Sequence, residues 1–143
     1  MAGLAPGERG VLNTMAPSVF DVSGVTELAE KPPILWLRGD ADAIVSDSST
    51  SDLAFLGSIG ALPGWPGAGV FPPQPMVTQT RAVLDRYAAS GGSYREAVLP
   101  GVGHSPHVER PEVFTAALLE HLSSPAPAPS NSPESPGPDE IST

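Results

Sequence analysis

Ile34-Leu35-Trp36-Leu37-Arg38-Gly39-Asp40-Ala41-Asp42 and Ala97-Val98-Leu99-Pro100-Gly101-Val102-Gly103-His104-Ser105-Pro106 decide how this chain is read. Each begins as a short apolar run that does not alternate with polar residues, the pattern of a strand covered on both faces in a parallel sheet. Each then stops in a loop, one carrying an acid and the other a histidine. Lys31-Pro32-Pro33 feeds the first run in extended form, because a residue before proline is pushed out of the helical region. The second strand spans Tyr94 to Leu99 and is closed by Pro100-Gly101.

Between the strands, Met76, Val77, Thr80, Val83, Leu84, Tyr87 and Ala88 recur at helical spacing, so a helix is expected from Pro75 to Ser90, stopped by Gly91-Gly92. After the histidine, Pro111 suits a first helical position and Glu112 favours the positive helix end. Val113, Phe114, Ala117, Leu118 and Leu122 then form an apolar stripe. The order is strand, long loop, helix, strand, loop, helix. A helix between two non-alternating strands is a βαβ signal for adjacent parallel strands, whose carboxyl ends are where ligands and catalytic groups gather. The fold class is therefore α/β, with two adjacent parallel strands and flanking helices, and Asp42 and His104 both fall at strand ends. A sheet of two strands leaves the outer edge of Ile34 to Leu37 unpaired, and such an edge invites association.

The rest of the chain divides by composition. Residues 1–30 hold Gly, Pro and Ser breakers between short apolar pieces and show neither period, so they read as irregular or weakly helical. Residues 31–122 have the composition of a packed structure, interrupted at 46–75 by a long loop whose apolar content argues against plain disorder. Within it, Asp52 to Ala61 can form a helical turn or two, and Trp65 and Phe71 read as loop anchors. Residues 123–143 are rich in Pro, Ser and Ala with Glu134, Asp139 and Glu140, a composition expected to be disordered.

The chain has 143 residues, a net charge of −9 and no cysteine. No basic stripe is present, so nucleic acid and anionic membrane surfaces are poor partners. A thiolate nucleophile and a disulfide framework are excluded. No apolar run reaches the length of a spanning helix and no signal-peptide pattern opens the chain, which makes the cytoplasm the expected compartment.

The acid and the histidine supply two parts of a Ser-His-Asp arrangement. Histidine can take a hydroxyl proton and return it to a leaving group, and an acid fixes its tautomer and stabilises the imidazolium. Gly39-Asp40-Ala41-Asp42-Ala43-Ile44-Val45 resembles the G-x-x-D-x-x-V loop of α/β-hydrolase-fold enzymes. Pro100-Gly101-Val102-Gly103-His104-Ser105-Pro106, followed by Glu109-Arg110-Pro111-Glu112 and the helix from Val113 to Leu122, resembles that family's closing segment. The resemblance covers roughly Pro32 to Leu122 and implies a partial α/β-hydrolase fold, with Asp42 as triad acid and His104 as general base. It also implies that residues 1–30 are the end of a lid region and that the substrate of the full-length parent is a small molecule. No G-x-S-x-G elbow exists in this sequence, although that family places the nucleophile upstream of the acid. The nucleophile, Ser or Asp, is therefore expected outside this chain, which makes it a C-terminal fragment inactive alone.

Other readings compete at particular residues. Asp40 is the nearest rival acid and reads as solvated, while Asp47 and Asp52 read as caps or surface residues. His104 and His107 form an H-x-x-H with Glu109 nearby, but Pro106 between them and the lack of a further ligand speak against a metal centre. Ser105 follows no elbow and is not a nucleophile candidate. Gly101-x-Gly103 lacks the third glycine of a dinucleotide fingerprint, so no cofactor is expected. The alternative for the whole chain is a non-catalytic remnant or interaction module using the Trp65 loop and the Pro-rich tail.

Overall fold

The computed structural model describes residues 22–124. The expectations for residues 1–21 and for the tail from 125 onward therefore lie outside the described residues. A 3-10 turn at Ser23–Glu27 precedes strand β1, Ile34–Gly39, and the loop after β1 holds the short helix α1, Leu53–Ser58. Helix α2, Met76–Ala89, leads to strand β2, Tyr94–Leu99, after which come a four-residue helix α3, Pro106–Glu109, and helix α4, Pro111–Ser123. The long helix, both strands and the Pro-started helix lie within a residue or so of their sequence expectations. The α3 turn has no counterpart among those expectations.

The two strands pair in parallel, with Ile34 opposite Tyr94 and Gly39 opposite Leu99. Because side chains alternate across a strand, the contacts made by β2 show where the helices lie. Tyr94 donates to Asp85 of α2 at 2.6 Å and Glu96 accepts from Arg81 of α2, whereas Arg95 pairs with Glu120 of α4 at 3.2 Å. Helices α2 and α4 therefore lie on opposite faces of the sheet, giving a three-layer α/β/α arrangement.

On the α2 face, Glu96 accepts from Arg38 of β1 at 2.7 Å and from both Nε and Nη2 of Arg81. The Arg81 bonds first, and the Arg38 bond after them, hold the Glu96 carboxyl below the usual range against the opposing effect of burial. Both guanidiniums also stand over the Trp36 ring, at 5.5 and 5.8 Å from its centroid. Trp36 is thus half-buried beneath two cations rather than enclosed in an apolar core, an arrangement worth about 0.5–1 kcal/mol per cation at exposed sites.

Among the described residues the fully enclosed apolar core is small: Ala54, Leu84, Tyr87 and Val102. Tyr87 closes the base of α2, its hydroxyl donating to the Pro32 carbonyl just ahead of β1. Of the expected α4 stripe, Phe114 and Ala117 are half-buried, while Val113, Leu118 and Leu122 remain exposed.

The loop at 46–75 is ordered by carboxylates accepting backbone N–H groups. Asp52 caps α1 by accepting from Ala54 at 2.8 Å, and its other oxygen accepts from Gln74 at 2.6 Å. Asp47 accepts both the backbone N–H and the hydroxyl of Thr78 in the first turn of α2, bonds that hold its carboxyl below the ordinary value. Trp65 donates its indole N–H to the Phe71 carbonyl at 2.9 Å, closing the loop between them.

At the carboxyl end of the sheet the strand termini touch backbone to backbone. A Cβ built on Gly39 would lie 1.9 Å from the Val102 carbonyl oxygen and 2.5 Å from that of Gly103. Gly39→Ala must therefore separate the two strand ends and should lower the unfolding free energy by roughly 3 kcal/mol. Urea denaturation checks this, with Gly24→Ala, where a Cβ meets nothing within 4 Å, staying within about 0.5 kcal/mol of the wild type.

Candidate functional site

Beyond Gly39 the two strand-end loops run against each other. Asp40 donates its N–H to the Leu99 carbonyl at 3.2 Å, and Ala41 donates to Val102 at 3.0 Å. The Asp40 carboxylate accepts the Gly101 N–H at 2.6 Å, so this residue latches the loops together as well as meeting solvent. Val102, 2 % exposed, is the apolar plug between them.

This pairing brings Asp42 and His104 together. Asp42 Oδ2 and His104 Nδ1 are 2.9 Å apart, and Asp42 Oδ1 accepts from the backbone of Ile44 at 2.7 Å and Val45 at 3.0 Å. The three bonds leave the carboxylate one orientation. Burial works against its charged form, but the bonds from His104, Val45 and Ile44 more than offset it and hold the Asp42 carboxyl below its ordinary value. The Asp42 side chain is 9 % exposed and that of His104 is 49 % exposed, so the acid lies beneath an imidazole that faces outward. With Nδ1–H given to the carboxylate, Nε2 is left as the acceptor, the state a general base requires.

The histidine loop has a second carboxylate beside it. Glu109, the last residue of α3, accepts from Gly103 N–H at 2.8 Å and from Ser105 N–H at 3.1 Å. His107 does not join His104; its ring meets Phe114 edge-on at 5.9 Å between centroids. Among the described residues, no group of three or more His, Asp or Glu is placed to hold a metal ion, and no hydroxyl bonds His104. No helix among the described residues is long and apolar enough to cross a membrane. Comparison with known proteins gave no matching family model, no matching curated protein and no matching solved structure.

Sequence reasoning assigns Asp40 and Glu109 lesser parts than they have. The partner of Asp40 is 61 residues away, and nothing local announces it. Glu109 does carry a signal, since Pro106 begins a helical turn that ends on it, but the turn is too short for any period to show.

The lowered Asp42 value fixes the direction of a pH effect. Its folded value lies below the unfolded one, so the stability from these bonds is fully present above about pH 3.9 and is lost as pH falls through the folded value. Urea midpoints followed from about pH 6 down to about pH 2.5 should fall further for the wild type than for Asp42→Asn. Parallel curves would show that the three bonds do not favour the carboxylate in solution.

Proposed function

We propose that this chain is the C-terminal part of an α/β-hydrolase and supplies the acid and the general base of its catalytic site. The observation that carries the reading is the 2.9 Å contact between Asp42 and His104 from the carboxyl ends of adjacent parallel strands. His104 Nε2 takes the proton of an attacking hydroxyl or water and returns one to the leaving group, and Asp42 stabilises the imidazolium that forms in between. The nucleophile comes from a strand-to-helix elbow outside this sequence. With Ser at that elbow the reaction is ester or C–C bond hydrolysis; with Asp, whose carboxylate attacks carbon directly, His104 only deprotonates the water that cleaves the resulting ester, and the reaction is epoxide or haloalkane hydrolysis.

The incomplete burial of the chain supports the same reading. Among the described residues the sheet has two strands, so each has a bare edge, and Val113, Leu118, Leu119 and Leu122 leave much of α4 uncovered. Further strands beside the sheet and a further helix against α4 would bury this surface, at about 25 cal/mol per Å² of apolar area.

The upstream reading frame should encode G-x-S-x-G or G-x-D-x-G between a strand and a helix, and the joined protein should hydrolyse a small ester, epoxide or haloalkane. The 143-residue chain should turn over p-nitrophenyl acetate no faster than its His104→Ala variant. In the joined protein, His104→Ala and Asp42→Asn should each reduce kcat by about 10³–10⁴. A joined protein whose turnover ignores both substitutions would refute the assignment.

A further inference from the structure

We infer that Glu109 is a positioning residue for His104, holding the histidine loop from both sides of that residue so that the imidazole keeps its bond to Asp42. This rests on the acid–base reading of the pair, and it names a group further along the chain that never touches the ring. Gly103 and Ser105 are the immediate neighbours of His104, and each gives its backbone N–H to a different oxygen of the Glu109 carboxylate, at 2.8 and 3.1 Å. A carboxylate that accepts on both oxygens from N–H groups flanking one residue fixes that residue's Cα position and the direction of its Cα–Cβ bond. Charge-assisted bonds of this kind are stronger than neutral ones.

The glycine before the histidine gives independent support. A Cβ on Gly103 would sit 3.0 Å from Glu109 Oε1 and 3.4 Å from Oε2. A side chain at 103 would crowd the carboxylate, which would have to give by a few tenths of an ångström. Glycine at 103 thus leaves the clamp unstrained, and Gly103→Ala should displace the carboxylate slightly and weaken its two bonds. The displaced atoms are the tip of a flexible side chain, so the fold tolerates the change and the strain falls on the clamp.

The same loop is latched at Gly101 by Asp40 from the opposite strand end, at 2.6 Å. The two carboxylates thus divide the task. Asp40 joins the loops to each other, and Glu109 sets the segment within the histidine loop that carries the ring.

The test reads the imidazole itself in the full chain, whose three histidines can be assigned by single substitution. Ring nitrogen NMR shifts of a histidine-labelled sample, above about pH 8 where an ordinary imidazole is neutral, report which nitrogen holds the proton. The wild type should show His104 in the Nδ1–H form, and Asp42→Asn should convert it to the mixture of free histidine. Glu109→Ala and Gly103→Ala should shift it toward that same mixture, and Glu109→Gln, with one acceptor oxygen left, should fall between. Amide exchange at Gly103 and Ser105 should quicken about tenfold in Glu109→Ala, with the urea midpoint near that of the wild type. If Asp42→Asn abolishes the Nδ1–H form while Glu109→Ala retains it, the clamp is overturned and the acid–base pair stands. If the wild type lacks that form, or Asp42→Asn keeps it, the pair itself fails and the inference with it. Should Glu109→Ala unfold, Glu109→Gln decides the question, since it removes one of the two acceptor oxygens and leaves the size of the side chain unchanged.

Discussion

The backbone of Gly39 lies directly against the carbonyls of Val102 and Gly103, and the geometry at the carboxyl end of the sheet depends on that contact. Two parallel strands diverge by twist as they leave a sheet. Here the absence of a side chain at one position lets the strand ends stay together for several residues past the last ladder pair. Ala41 then bonds Val102, Asp40 bonds Leu99 and Gly101, and the acid and histidine arrive on neighbouring turns with 2.9 Å between their polar atoms.

Loops and the junctions between distant segments are held alike by carboxylates accepting backbone N–H groups. Asp40 holds Gly101, Asp42 holds Ile44 and Val45, Asp47 holds Thr78, Asp52 holds Ala54 and Gln74, and Glu109 holds Gly103 and Ser105. The enclosed apolar core is small, so hydrophobic burial alone would leave the loops loosely specified. An oxygen shared between two segments supplies direction as well as attraction. The negative charge of the chain thus has a structural use inside the molecule.

The regular elements are legible in the sequence because their causes are local. A continuous apolar run ahead of Gly39, the 3.6-residue period from Met76 to Ala88 and the proline at 111 each act within a few residues, and each element appears where that signal lies. Pairing Asp42 with His104 needs one added step, the rule that parallel strands share a carboxyl end. Less is visible wherever the cause is tertiary. Trp36 lies in a run with the pattern of a strand covered on both faces, yet what covers its ring is two arginines, one of them from the helix packed on that face. The α4 stripe reads as apolar, and how far it is covered is not local: Leu122 is 70 % exposed because the described residues offer nothing to cover it. The α3 turn is four residues long, below the length at which periodicity means anything.

The loop after Asp42 has a closure of its own. Thr50 returns both its backbone N–H and its hydroxyl to the Ala43 carbonyl, each at 2.9 Å, making residues 43–50 a small ring whose first bonds are those that orient Asp42. Chain beyond the ring hangs from a fixed neck. Asp52 closes the segment beyond it by its bond to Gln74, and the exposed residues 58–64 can consequently be lengthened, shortened or exchanged without pulling on the acid. Variation there would leave the 2.9 Å contact between Asp42 and His104 unchanged.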